Sequence, residues 1–129
     1  MPQSHLVSLS RREREIMDII YQRGRASVAE VMADLPDPPS YSAVRALLRI
    51  LEAKGHLKHI RQGPRYVYRP TRRRRSAGRA ALRRVLRTFY DDSIHKAMAA
   101  LLDVSDSRLS DEDLDRIARL IEQARKEES

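Results

Sequence analysis

Residues 41–70 read YSAVRALLRILEAKGHLKHIRQGPRYVYRP, and the hydrophobic period changes in the middle of this stretch. The first half has apolar residues at spacings of three and four, as on one face of a helix. These residues are Val44, Leu47, Leu48 and Leu51. The pattern predicts a helix that begins near Ser40 or Ser42 and ends at Lys54-Gly55, where glycine favours a helix C-terminus.

The second half of the stretch is typical of extended chain. Two short runs, Leu57–Arg61 and Arg65–Arg69, are rich in β-branched and aromatic residues, and Gln62-Gly63-Pro64 separates them. Short runs of this composition around a Gly-Pro turn predict a β-hairpin.

Two further helices are predicted before this stretch. Residues 10–13 (SRRE) and 27–30 (SVAE) each have the Ser-x-x-Glu pattern of a capping box, which predicts helices over about 11–22 and about 28–35. Three short helices followed by a basic hairpin form a winged helix-turn-helix, with the third helix as recognition helix and the hairpin as wing.

The net charge of the 129-residue chain is +8, which makes a polyanion the first partner to consider. The charge is uneven: residues 1–70 have 12 Lys+Arg against 7 Asp+Glu, residues 71–90 have 8 against none, and residues 91–129 have 6 against 11. We therefore predict a DNA-binding domain over residues 1–71, a basic linker over 72–76 and a helical domain over 77–129.

The helical period returns after the arginine run, and Ser110-Asp111-Glu112-Asp113 is a weaker third capping box. The fold class is therefore mainly α with a small β-hairpin, with three helices in the C-terminal part. So small a domain has too little interior to bury such apolar stripes, so we expect a homodimer that buries them between two copies. The predicted dimerisation residues are Leu82, Val85, Leu86, Phe89, Met98, Leu101, Leu102, Leu114, Ile117 and Ile121.

The recognition helix supplies the first group of candidate DNA-binding residues. At about 100° per residue, its arginines lie opposite its apolar stripe, where a guanidinium can bind guanine or phosphate. The candidates are Tyr41, Ser42, Ala43, Arg45, Ala46 and Arg49. The alternative is an ordinary solvated face in which Arg45 and Arg49 pair with Glu52.

Basic residues of the wing and of the first helix form the second group of candidates, suited to phosphate or minor-groove contacts. They are Arg12, Lys58, Arg61, Gln62 and Arg65, with Arg25 and Arg69 as further cations nearby. The alternative is that these side chains only keep the surface hydrated. Tyr66 and Tyr68 share a face of their strand and are expected to pack against a helix.

The sequence has no motif that is typical of a catalytic site or of a metal-binding site. The chain has no cysteine, no Gly-x-Ser-x-Gly elbow and no glycine-rich phosphate loop. Of His5, His56, His59 and His95, only His56 and His59 are close in sequence, and no third ligand is suitably spaced. We expect no enzyme, no metal and no cofactor. Residues 1–8 show no signal peptide, so we expect a cytoplasmic protein without membrane association.

Three segments together resemble the penicillinase-repressor family (BlaI/MecI/CopY type). They are Leu9-Ser10-x-x-Glu13-x-x-Ile16-Met17, Tyr41-Ser42-x-Val44-x-x-Leu47-Leu48-x-x-Leu51-x-x-Lys54-Gly55, and the wing from Gly63 to Pro70. The resemblance, over about residues 8–125, implies a homodimeric bacterial repressor that binds a palindromic operator and occludes a promoter. It also implies that residues 77–127 are entwined in the dimer, that the wing holds the backbone, and that Ser42, Ala43, Arg45 and Ala46 line the major groove.

Two departures from the family pattern bear on induction. Members that a β-lactam-sensing membrane protease controls are cut at an Asn-Phe bond, whereas the corresponding position here is Leu101-Leu102. This difference argues against induction by cleavage and leaves a sensor protease open as a partner. Copper-responsive members have C-terminal cysteines, and this chain has none.

Other functions fit the same pattern. A basic winged-helix dimer can be a nonspecific architectural DNA-binding protein, and a winged helix can be a protein-interaction module. The latter would expose an apolar patch on the recognition helix or the wing. Activation instead of repression depends on operator position, and the regulated genes (β-lactamase or other resistance or stress genes) stay open.

Overall fold

The computed structural model describes residues 9–105 and 108–128, so the predictions for residues 1–8, including His5, lie outside the described residues. The elements in chain order are α1 (Arg11–Arg23), β1 (Ala26–Ser27), α2 (Val28–Asp34), α3 (Tyr41–Ala53), β2 (Leu57–Gln62), β3 (Arg65–Pro70), α4 (Arg74–Phe89), α5 (Ile94–Ser105) and α6 (Asp111–Glu128). The predicted class, mainly α with a small hairpin, is confirmed.

The helices of the N-terminal part begin at side-chain caps. The Ser10 hydroxyl accepts from the Glu13 amide at 3.2 Å, and the Ser10 amide donates to the Glu13 carboxylate at 2.7 Å. Ser27 and Glu30 repeat this exchange at 3.2 and 2.9 Å, so both predicted capping boxes are confirmed. The α3 cap is Ser40, whose hydroxyl accepts from the Ala43 amide at 3.1 Å.

Glycine ends α1. Gly24 has φ +85° and donates its amide to the Ile20 carbonyl at 2.8 Å. A left-handed residue at this position satisfies a free carbonyl of the last turn, and glycine adopts that conformation without steric cost. After α3, Gly55 has φ +88° and the His56 amide donates to the Leu51 carbonyl at 3.0 Å.

Three strands form one antiparallel sheet in the order β1-β3-β2. The wing pairs Leu57 with Pro70 through Gln62 with Arg65, so each strand is one residue longer than predicted and the turn is only Gly63-Pro64. Gly63 has φ +62°, which suits the first position of a tight hairpin turn. Strand β1 was not predicted, because it has only two residues, and it pairs with Tyr68 and Val67 of β3.

The core of the winged helix lies between the three helices and the sheet. Its large, fully buried side chains come from α1, α2, α3 and β2, so each helix contributes the apolar stripe that its period predicts. The largest of them are Ile16, Ile20, Val31, Val44, Leu48, Leu51 and Leu57.

The chain divides into an N-terminal unit up to Arg79 and a C-terminal unit from Ala80. Helix α4 begins at Arg74, within the range 72–76 that the sequence assigns to a linker, and the predicted domain limits stay a prediction. The third capping box is present, because Ser110 and Asp113 exchange hydrogen bonds at 3.1 Å in both directions. Among the described residues, no helix is both long enough and apolar enough to cross a membrane.

Candidate nucleic-acid interface

Helix α3 is tied at its C-terminal end to the start of α1. The Lys54 ammonium donates to both carboxylate oxygens of Glu13 at 3.1 and 3.0 Å, and the Glu13 side chain is only 5% exposed. Burial by itself would raise the pKa of Glu13, but the Ser10 amide and the Lys54 ammonium outweigh it and lower that pKa. The pair joins residues that are 41 positions apart in sequence, and no local motif predicts it.

The N-terminal end of α3 is held through the turn that precedes it. Arg12, a predicted phosphate contact, donates to the carbonyls of Pro36 and Asp37, and to Glu15 at 3.2 Å. Asp37 has φ +55°, a left-handed conformation that non-glycine residues seldom adopt. The Arg12 guanidinium is therefore engaged in holding this turn, and a contact with DNA would compete with those hydrogen bonds.

The outward face of α3 presents the predicted polar residues. Ser42, Ala46 and Arg49 are exposed and lie opposite the buried stripe of Val44, Leu48 and Leu51. The other three candidates flank this face: Tyr41 is 53% exposed, and Ala43 and Arg45 are half-buried.

Glu52 does not pair with these arginines. Its carboxylate accepts from Nδ1 of His59 in β2 at 2.6 and 2.8 Å, which ties the wing to the end of α3. Among the ion pairs of residues 9–105 and 108–128, none includes Arg45 or Arg49. The alternative in which Glu52 neutralises Arg45 and Arg49 on an ordinary solvated face is therefore not supported, because Glu52 is bonded to His59 instead.

The predicted wing residues lie on two faces of the hairpin. Because paired residues share a face and neighbours alternate, Arg61 lies on the face of Tyr66 and Tyr68, whereas Lys58, Gln62 and Arg65 lie on the other. All four of these side chains, Lys58, Arg61, Gln62 and Arg65, are exposed to solvent.

The Arg61 face of the wing is turned toward α3. Tyr68 on this face is 4% exposed, burial raises the pKa of its hydroxyl, and Glu52, Arg49 and Arg45 act on that pKa through their charges. Tyr66 is 40% exposed and its ring lies edge-on to the His59 ring at 4.8 Å. Tyr68 therefore packs as predicted, whereas Tyr66 is partly open to solvent beside the Arg61 guanidinium, 5.8 Å from its ring centre.

The opposite face of the wing borders a cleft that holds further cations. Arg23, Arg25, Glu30, Gln62, Arg65 and Val67 line this cleft. Arg23 is neutralised there, because it donates to both Asp34 carboxylate oxygens at 2.6 and 3.0 Å and to Glu30 at 3.3 Å. This hydrogen bonding by Arg23 lowers the pKa of Asp34. Arg25 and Arg65 are exposed in the same cleft, and neither of them forms an ion pair among the described residues.

The exposed large apolar side chains of α3 do not share a face of the helix, and those of the wing do not share a face of the hairpin. Tyr41 and Ile50 are 53% and 44% exposed but lie about 180° apart around α3. Ile60 and Tyr66 are 39% and 40% exposed but lie on opposite faces of the hairpin. Scattered exposure of this kind is ordinary for a soluble surface.

The helices α4, α5 and α6 bury none of their described residues within one chain. Of the predicted dimerisation residues, seven are exposed large apolar side chains and Leu86, Met98 and Ile117 are half-buried. The exposed ones are Leu82, Val85, Phe89, Leu101, Leu102, Leu114 and Ile121. Ile94, Val104 and Leu120, which are 70%, 66% and 68% exposed, extend the same surface and were not among the candidates.

No metal site is formed within the described part of the chain, which holds no group of three or more His, Asp or Glu side chains arranged to bind an ion. His59 instead bonds to Glu52, and His56 is buried beside the base of the wing. There the Thr71 hydroxyl donates to the Gly55 carbonyl at 2.7 Å and closes the hairpin onto α3.

Three solved structures resemble the chain at low identity. BpsR of Bordetella bronchiseptica, described for regulation of its DNA binding by 6-hydroxynicotinic acid, is 14% identical over 94% of this chain and 78% of its own, with a TM-score of 0.48.

 A MarR family protein from Bacillus stearothermophilus is 18% identical over 93% of this chain and 75% of its own, with a TM-score of 0.49. The transcriptional regulator BldR from Sulfolobus solfataricus is 18% identical over 83% of this chain and 80% of its own, with a TM-score of 0.45. A likeness at this level says nothing about ligand or target.

The family comparison is more informative. No curated protein sequence matches the chain significantly. The model of the family described as penicillinase repressor matches residues 9–123, which include the whole winged helix and nearly all of the C-terminal helices. The chain therefore belongs to the penicillinase repressor family and is a DNA-binding transcriptional regulator.

Proposed function

We propose that this regulator is a homodimeric repressor that binds a two-fold symmetric operator with two copies of α3 and thereby blocks a promoter. The observation that carries the proposal is the outward face of α3, where Ser42, Ala46 and Arg49 are exposed and Arg45 borders them without an acidic partner among the described residues. Side chains of this kind recognise base edges and phosphates in the major groove.

The dimer is inferred from the C-terminal unit. Its helices expose Leu82, Phe89, Leu101 and Leu114, which are 62%, 73%, 53% and 43% accessible in the single chain. A monomer in water would leave this apolar area hydrated, whereas a two-fold pair buries the same area on both copies. Two copies also place two recognition helices on one duplex, at half-sites one or more helical turns apart.

Selection of bound sequences from a random duplex pool, at about physiological salt, tests the proposal. We expect enrichment of a two-fold palindrome, which then identifies the regulated gene by its position upstream of a coding region. Tight, salt-sensitive binding without any enrichment would instead support a nonspecific architectural protein, and the repressor proposal would be wrong.

Two arginine substitutions separate base reading from backbone contact. We expect Arg45→Ala to cost about 1 to 3 kcal/mol of operator binding and to relax specificity, because it removes a base contact. We expect Arg65→Ala to weaken operator and random DNA alike and to flatten the salt dependence, because it removes a phosphate contact. Equal weakening of both DNAs by Arg45→Ala would contradict its assignment as a base reader.

A further inference from the structure

Helix α4 has an uncompensated row of positive charge that the winged helix does not explain. Residues 71–90 include eight arginines and no acidic residue. On α4, Arg79, Arg83, Arg84 and Arg87 are all exposed, and we call these four side chains the arginine face. Within the described residues, no ion pair includes any of them.

This arrangement is unfavourable for an isolated helix. Arg79, Arg83 and Arg87 follow one another at intervals of four, where like charges repel. Helix α6 shows the ordinary alternative, because Arg116 lies 3.7 Å from Glu112 and 3.4 Å from Asp113. An external polyanion would remove the repulsion that the chain itself does not neutralise on α4.

The arginine face is separate from the apolar stripe of the same helix. At about 100° per residue, Arg79, Arg83, Arg84 and Arg87 fall within an arc of about 140°. Leu82, Val85 and Phe89 fall on the opposite side of α4. A second copy of the chain that buries Leu82, Val85 and Phe89 therefore approaches α4 from the side away from the arginine face. Leu86, which is half-buried, lies at the boundary, about 20° around the helix from Arg79.

We infer that the arginine face binds DNA phosphates independently of sequence and is a second DNA contact in addition to α3 and the wing. The inference rests on the proposed function, because it assigns the same duplex to a further surface. From Arg79 to Arg87 the row extends about 12 Å along the helix, which suits the repeated charge of a nucleic-acid backbone better than a single small anion. Guanidinium groups bind phosphate oxygens through paired hydrogen bonds, and such contacts need no base sequence.

The test uses the full chain and a triple variant, Arg79→Gln/Arg83→Gln/Arg87→Gln. Affinity is measured by fluorescence anisotropy over about 50 to 200 mM KCl, on the selected palindrome and on a random duplex of the same length. The matched control is Arg116→Gln/Arg119→Gln/Arg125→Gln, which removes three arginines from α6. A second variant, Arg79→Lys/Arg83→Lys/Arg87→Lys, keeps the positive charge at these three positions.

We expect the glutamine variant to lower the steepness of log Kd against log salt by about 5, because roughly six contacts per dimer at about 0.9 each are lost. The loss of affinity should be equal on both duplexes, so that their ratio is unchanged. The lysine variant and the α6 control should keep the wild-type slope. Circular dichroism and sedimentation establish that each variant is folded and has the wild-type oligomeric state.

Three outcomes would overturn the inference. The first is a glutamine variant whose salt slope lies within about 1 of the wild-type slope. The second is an equal loss of slope in the α6 control, which would indicate net charge instead of local contact. The third is a shift of the glutamine variant toward monomer, which would assign the arginines to the interface between copies. Failure of the wild-type chain to bind any duplex would instead contradict the proposed function.

Discussion

The pair of Glu13 and Lys54 yields the most sharply defined prediction, because it joins the start of α1 to the end of α3 through a nearly buried carboxylate. Replacing Lys54 with methionine keeps most of the apolar stem of the side chain but removes two hydrogen bonds to Glu13, at 3.1 and 3.0 Å. The carboxylate stays buried and keeps the hydrogen bond that the Ser10 amide donates to it at 2.7 Å. We therefore expect the N-terminal unit to lose stability at neutral pH.

The size of the loss follows from the exposure of the two partners. Breaking a fully buried ion pair costs about 3 to 5 kcal/mol, whereas an exposed pair contributes about 0 to 1 kcal/mol. Here the Glu13 side chain is 5% exposed and the Lys54 side chain 33%, so solvent screens one partner but not the other. We expect an intermediate loss of about 2 to 3 kcal/mol in the free energy of unfolding, or roughly 8 to 24 °C in Tm for a unit of this size.

The assay is thermal unfolding followed by near-ultraviolet circular dichroism of tyrosine. Four of the five tyrosines lie between residues 21 and 68, so the signal reports mainly on the winged helix. Lys58→Met, on an exposed position of the wing, is the control and should change stability by less than about 0.5 kcal/mol. A double-mutant cycle with Glu13→Gln isolates the coupling between the two residues, which we expect to exceed about 1 kcal/mol.

The effect should also depend on pH in a defined direction. The pKa of Glu13 is lowered in the folded state, so its contribution to stability is present above the ordinary glutamate pKa of about 4.3 and is lost as pH falls through the folded value. The difference between wild type and Lys54→Met should therefore shrink in acid. Additive effects in the cycle, or a difference that is as large in acid as at neutral pH, would refute this account of the pair.

Three further predictions concern the core, the turn before α3 and the C-terminal helices. Leu48 is 0% exposed, so Leu48→Ala should cost about 2 to 5 kcal/mol by urea unfolding, and a loss below about 1 kcal/mol would contradict its place in the core. Arg12→Ala should weaken operator binding without changing the salt slope, because Arg12 holds the turn at Asp37; a lowered slope would instead make it a phosphate contact. Leu82→Asp should shift the chain toward monomer in sedimentation while Lys126→Asp does not, and a Leu82→Asp chain that stays dimeric would remove Leu82 from the interface.

Local patterns in the sequence predicted most of the fold. Both capping boxes, at Ser10 and Ser27, exchange the expected hydrogen bonds, because their partners are three residues apart and any helix that begins there brings them together. The hairpin around Gly63 was likewise predicted, because a two-residue turn with positive φ is a local property. Strand β1 was missed because its two residues are extended only through pairing with β3.

The sequence predicted which residues of the candidate site lie on an exposed face, but it did not predict which of them form hydrogen bonds or ion pairs with each other. Helical period placed Ser42 and Arg49 on the exposed side of α3, and the structure agrees. The engagement of Arg12 with the carbonyl of Asp37 could not be predicted, since it joins residues 25 positions apart. The pairing of Glu52 with His59 was equally hidden, because sequence spacing offered Arg49 as a helical neighbour and could not show that the predicted strand with His59 packs against the end of α3.

The sequence by itself determined where the first three helices begin and end, which faces are apolar, and that basic and acidic residues separate along the chain, because each of these depends on neighbours within a few positions. Only the tertiary structure decided which charges are neutralised. Glu13 forms an ion pair with Lys54, which is 41 positions away in sequence, whereas the arginines of α4 form no ion pair with an acidic side chain among the described residues. Ion pairs between distant segments depend on how the elements pack, and packing is a property of the whole core that no local spacing contains.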